Sequence, residues 1–192
     1  FAAFLENLEK TKRPGCSAAL VMNANPFTLG HLYLVETAAK NCDTLHLFVL
    51  SEDASLVPFA VRKRLIREGT AHIQNVILHD SGPYIISNAT FPSYFLKDET
   101  AVITGHARLD LAVFTKIAQA LNVTARYVGE EPNSQVTGLY NDIMARELPK
   151  AGIACHIVPR LQAQGTAISA STVRVALQQG DWETLKTLVP PT

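Results

Sequence analysis

The chain has 192 residues, 47% of them hydrophobic and 18% charged, and its 17 basic and 17 acidic side chains cancel to a formal charge of zero. That length suffices for one sizeable α/β domain with its own core, and the charge balance gives no ground for a nucleic-acid or anionic-membrane partner. Cys16, Cys42 and Cys155 are too sparse for a disulfide framework or a metal cluster, and they are expected to pack as small apolar side chains. With no signal-like segment and no apolar run approaching the roughly 18 residues of a membrane span, a cytoplasmic location is expected.

The chain opens on Phe1 rather than Met, and Phe1-Ala2-Ala3-Phe4-Leu5-Glu6-Asn7-Leu8 already reads as helix. Residues 1–15 are therefore expected to be a helical remnant and linker from a longer protein, ahead of one domain over 16–192. Residues 18–21 form a first apolar strand, and Asn41-Cys42-Asp43 turns the chain into a second over 45–50 that ends in Ser51-Glu52-Asp53. Pro58 precedes a helix over 59–71 carrying Arg62, Lys63, Arg64 and Arg67. A third strand is predicted over 75–79, a fourth over 100–104, then a helix over 109–121 with Asp110 near its start as a cap. Residues 124–128 and 153–158 read as further strands, with a helix over 135–148 between them. The loop 162–166 feeds a last pair of helices separated by Gly180-Asp181. Nearly continuous apolar strands alternating with helices predict a Rossmann-like parallel sheet covered on both faces, with a ligand crevice beyond the carboxyl ends of the strands.

Two helix starts carry the chemistry. Asn25-Pro26-Phe27-Thr28-Leu29-Gly30-His31 leaves the first strand and enters a helix, offering exposed amides, a glycine that permits close approach, and an imidazole donor. Near the other end, Ile168-Ser169-Ala170-Ser171-Thr172-Val173-Arg174 sets hydroxyls before a helix, with an arginine in its first turn. Ser169 also reads as a plain helix cap and Arg174 as a solvated charge. Taken together they predict a phosphate clamp, and the two starts predict a polyphosphate held between them. The first turn lacks the spacing of an ATPase-type phosphate loop and of the three-glycine dinucleotide fingerprint.

These two motifs resemble the nucleotidylyltransferase superfamily, with Thr28 standing where many members carry the first histidine of a His-x-Gly-His turn. Met22 to His31, Leu47-Phe48-Val49, Tyr84-Ile85-Ile86-Ser87-Asn88-Ala89-Thr90-Phe91-Pro92-Ser93-Tyr94-Phe95, Val128-Gly129-Glu130-Glu131-Pro132, Val136-Thr137, Tyr140-Asn141 and Gly180-Asp181-Trp182 extend the resemblance to the C-terminal catalytic domain of citrate lyase ligase. The resemblance implies a nucleotidylyltransferase-type fold, ATP with magnesium, and acetate activated as acetyl-adenylate with release of pyrophosphate. It further implies acetyl transfer to the prosthetic-group thiol of the citrate lyase acyl-carrier subunit, and an upstream acetyltransferase-like domain in some members. Thr28, His31 and Arg174 would then serve the phosphoryl step. Asn25, Phe27, Gly30, Ile168, Ser169 and Ser171 would shape the nucleotide site, Arg62 or Arg64 would meet the β/γ-phosphates, and Gly129 and Pro132 the adenine edge. Ile85, Phe91, Tyr94 and Phe95 would either bound the acyl pocket or pack the core. An adenylyltransferase acting on a phosphorylated cofactor precursor, and a non-catalytic adenine-nucleotide-binding module, stand as alternatives.

Overall fold

The computed structural model describes residues 1–53, 55–85, 99–131, 135–163 and 165–191. Five strands, β1 (Ser17–Met22), β2 (Thr44–Val49), β3 (Val76–Asp80), β4 (Val123–Gly129) and β5 (Ala154–Val158), form one parallel sheet in the order β3-β2-β1-β4-β5. The chain steps outward from β1 to β2 and β3, then crosses back to lay β4 on the other side of β1. That reversal puts a topological switch point, and hence a crevice, between the carboxyl ends of β1 and β4.

Burial follows sheet position. The interior β2 is buried at every residue and the central β1 at all but Val21, whereas the edge strand β3 is largely half-buried and the edge strand β5 largely exposed. Alternate side chains feed two cores, as a parallel sheet covered on both faces requires. On one face Leu20, Leu45 and Leu47 pack with Val35 of α2 (Leu29–Ala39) and Ile66 of α3 (Phe59–Gly69). On the other, Ala19 and Phe48 pack with Phe114 and Ile117 of α4 (Glu99–Leu121), Ile143 of α5 (Gln135–Glu147) and Leu8 of α1 (Ala2–Glu9). His46 and His79 meet on this second face with Nδ1 and Nε2 2.9 Å apart, and burial pushes both imidazoles down to about 4.

Residues 100–104 are helical, contrary to the predicted fourth strand. The β-branched Val102-Ile103-Thr104 run suggested extended chain, but Ile103, Ala107, Leu111, Phe114 and Ala118 recur at spacings of four and three and are all buried, which is the stripe of a helix lying on a sheet. Gly105 does not break it, and a side chain there would project into open space. Asp110 consequently sits inside α4 rather than at its start, 3% exposed. It accepts a 2.5 Å bond from the Tyr140 hydroxyl, and Arg126 Nη1 lies 3.9 Å from its carboxylate. The Arg126 guanidinium also stands 4.2 Å over the Phe114 ring, so these four side chains tie α4, β4 and α5 together.

After β5, the loop predicted over 162–166 contains a short antiparallel pair, β6 (Gln162–Ala163) and β7 (Thr166–Ala167). It delivers the chain to α6 (Ala170–Gln179) and α7 (Trp182–Leu188), which share a small core of Ile168, Val173, Ala176, Leu185 and Leu188. Cys16 is exposed, unlike the buried role expected of it, while Cys42 and Cys155 are intermediate. Among the described residues no helix is long and apolar enough to cross a membrane.

Candidate active site

A cleft of about 1050 Å³ opens at the switch point, at the upper end of the sizes typical of small-molecule and cofactor sites. Its walls are the turn after β1, the start of α2, the ends of β4 and β5, and the start of α6.

The turn after β1 is held in an unusual shape. Ala24 has a φ of +50° and is 2% exposed, a left-handed conformation that costs a non-glycine residue about 1–2 kcal/mol. Three fixtures hold it there. The Arg62 guanidinium, fully buried, donates to the carbonyls of Asn23, Leu50, Glu52 and Val57 and to Asn23 Oδ1. Asn25 Oδ1 accepts the Val57 amide at 2.9 Å, and the Asn25 carbonyl accepts Arg174 Nη1 at 2.7 Å.

Thr28 caps α2 and forms a closed dyad with His31. Its hydroxyl accepts the His31 amide at 3.3 Å, and its own amide donates to His31 Nδ1 at 3.1 Å. Because Nδ1 is an acceptor, the imidazole proton belongs on Nε2. Burial, followed by the positive field of Arg160, lowers the His31 pKa to about 4, so the ring is neutral near pH 7. Phe27 stacks on it with centroids 5.8 Å apart. The result is an oriented N–H donor in the cleft wall, with no charge of its own.

Ser169 caps α6 by accepting the Thr172 amide at 3.1 Å. Arg174, one turn on, donates Nη2 to Ser171 Oγ at 2.9 Å and Nη1 to the Asn25 carbonyl, physically joining the two motifs. Gly30 lies where they meet, since a Cβ there would stand 3.4 Å from both the Ile168 carbonyl and Thr28 Oγ1, at van der Waals contact with each motif. The starts of α2 and α6 thus face one cleft, where their amide ends favour an anion.

The structure therefore gathers Asn25, Thr28, Gly30, His31, Gly129, Ile168, Ser169, Ser171 and Arg174 around the cleft. It assigns some of them different work from that expected. Thr28 is 1% exposed and its hydroxyl is engaged with His31, so here it orients the imidazole. Phe27 is a core residue behind His31. Arg62 and Arg64 are not cleft residues. Arg62 is the buried strut described above, because its position on α3 points inward, while Arg64 faces solvent and pairs with Glu68. Pro132, Phe91, Tyr94 and Phe95 lie outside the described residues, and Ile85 is 5% exposed in the core against α4.

The sequence of residues 17–192 matches the family model described as citrate lyase ligase C-terminal domain. The chain belongs to that family. It is 44% identical over 194 aligned positions to [citrate [pro-3S]-lyase] ligase of Klebsiella pneumoniae, covering 98% of this chain and 57% of that protein. The enzyme of the same name from Haemophilus influenzae is 45% identical over 180 positions, covering 91% and 54%. The chain thus spans about half the length of the curated relatives it matches. Among solved structures, Thermotoga maritima TmcAL bound with alpha-thio ATP superposes with a TM-score of 0.55 at 14% identity, over 91% of this chain and 53% of that one. At that identity the likeness speaks for the nucleotidylyltransferase-type fold alone.

Within this citrate lyase ligase domain, the cleft has side chains that the motifs did not single out. Arg160, just beyond β5, donates Nε to the Glu130 carbonyl at 2.9 Å and Nη2 to the Glu131 carboxylate. Tyr33 and Leu34 of α2 and Thr137 of α5 complete the wall near Gly129, whose carbonyl accepts Asn141 Nδ2 at 3.0 Å. Arg160 and Glu131 carried a positional signal, since both follow the carboxyl ends of parallel strands. Among the described residues no three acidic, histidine or cysteine side chains gather to hold a metal.

Proposed function

We propose that this domain binds ATP across the two helix starts, joins acetate to its α-phosphate, and passes the acetyl group to the prosthetic-group thiol of citrate lyase. The observation that carries the reading is the Arg174 bridge, which sets the α6 start and the neutral His31 donor around one anion-ready cleft in a chain of this family.

In the first step an acetate oxygen attacks the α-phosphorus and the bond to the β-phosphate oxygen breaks. Pyrophosphate leaves with the electron pair, and acetyl-adenylate remains. The negative charge that accumulates on the phosphoryl oxygens meets the His31 Nε2–H, the amides at the start of α6 and the remaining N–H groups of Arg174. None of these groups forms a covalent bond or takes up a proton. In the second step the partner thiolate attacks the acetyl carbonyl, and the bond to the AMP phosphate oxygen breaks. The donor set fits a magnesium ion carried on the phosphates better than a resident one, because the described residues offer only the Glu130 and Glu131 carboxylates in the cleft wall. When bound it would supply further charge neutralisation of the phosphates.

The reading is tested by acetate-dependent exchange of labelled pyrophosphate into ATP. Exchange that requires acetate is expected. ATP binding without exchange, in the presence of magnesium and acetate, would overturn it and favour the adenylyltransferase alternative.

A further inference from the structure

A triphosphate is strongly anionic, yet the described walls of the cleft are formally neutral. Arg160 and Arg174 are balanced by Glu130 and Glu131, and His31 contributes no charge. Arg174 already spends one donor on the Asn25 carbonyl and one on Ser171, and neither Arg62 nor Arg64 reaches the cleft. Arg160 is therefore the other lining cation, and it is tied to a carboxylate.

We infer that Arg160 is a nucleotide-binding residue held in reserve by Glu131, and that it exchanges this carboxylate for phosphate oxygens when ATP enters. The inference rests on the ATP site proposed above. Three features support it. The pair is only partly shielded, with both side chains about one-fifth exposed, so the carboxylate can be released to water. The Arg160 Nη1 takes part in neither of the bonds to Glu130 and Glu131, and guanidinium geometry suits two phosphate oxygens. Its mounting is rigid, because the Glu130 amide donates to the Val158 carbonyl at 2.8 Å and extends the β4–β5 ladder under both residues. The field of Arg160 at His31 further shows that an anion placed against the imidazole would feel the guanidinium.

The exchange makes the cleft positive only as the anion arrives. Glu131 competes with the nucleotide for Arg160, so its removal should strengthen binding; since losing any wall carboxylate also favours an anion, the Arg160 variants carry the discrimination from a purely structural ion pair.

The test is direct titration of ATP into the wild-type chain and the Arg160→Gln, Arg160→Lys and Glu131→Gln variants, with thermal unfolding recorded in parallel. Arg160→Gln should weaken ATP binding about 10- to 100-fold, the range for a lost charge-assisted contact. Arg160→Lys should recover part of that loss. Glu131→Gln should tighten ATP about 2- to 5-fold, as expected for releasing a partly exposed pair. Unchanged ATP affinity in a folded Arg160→Gln chain would overturn the inference, as would weakened affinity in Glu131→Gln. If Arg160→Gln instead raised only the acetate KM in pyrophosphate exchange, the guanidinium would be an acceptor ligand and the inference would fall. Because ATP titration involves no chemistry, absence of acetate-dependent exchange would overturn the proposed reaction while leaving this result readable.

Discussion

Replacing Arg174 by alanine separates two roles that this side chain combines. In the protein alone it is a staple, with bonds of 2.7 Å to the Asn25 carbonyl and 2.9 Å to Ser171 Oγ. A hydrogen bond to a charged group contributes about 1.5–3 kcal/mol when sheltered and less when exposed, and the Ser171 bond is exposed. The staple should therefore contribute about 2–4 kcal/mol, and its loss should lower the melting temperature by about 5–15 °C in a chain of this size. If the free N–H groups also meet phosphate, ATP binding should weaken a further 10- to 100-fold or so, measured at a temperature where the variant is folded. Ser171→Ala is the control, since it removes one of the two bonds but leaves the charge and the link to Asn25. It should cost about 0.5–1.5 kcal/mol and only a small part of the affinity. An Arg174→Ala chain that melts early but binds ATP like wild type would show that Arg174 only staples the motifs, and would refute the clamp. A chain that melts normally would refute the staple.

The Thr28–His31 dyad predicts that imidazole 15N NMR will find Nδ1 unprotonated and a titration midpoint for His31 near 4; a midpoint near 6.5 would refute the assigned environment. His31, His46 and His79 are all lowered to about 4, so the unfolded chain binds more protons than the folded one between about pH 6.5 and 4. Stability from these groups should be fully present above that window and lost as the pH falls through it, whereas urea midpoints independent of pH there would contradict the assignment. Arg62→Met should cost about 3–5 kcal/mol by orphaning several buried acceptors, while Arg64→Ala should change stability by less than about 0.5 kcal/mol and leave ATP affinity alone; denaturant titration of both checks the contrast.

Local pattern was enough to read the alternation of buried strands with helices, the crevice at the strand ends, and both anion-ready helix starts. These depend on short-range features: apolar runs, a Thr or Ser cap, and a glycine where two backbones approach. Side-chain pattern was not enough over 100–104, where β-branched residues favour a strand locally but the recurring stripe from Ile103 to Ala118 belongs to a helix on the second face of the sheet.

What the sequence by itself determined is therefore the type of fold and the two motifs, because each is written in residues that act within a few positions of one another. What the tertiary structure alone decided is which polar side chains reach the ligand. Arg62 and Arg64 stand two positions apart on roughly opposite faces of α3, and packing seals one beneath the first turn while the other pairs outside with Glu68. Arg174 joins a carbonyl 149 positions away, and Arg160 meets a carboxylate 29 positions away, just beyond the end of β4. A charge is a property of the residue, but its direction and its counter-ion are properties of the packed chain.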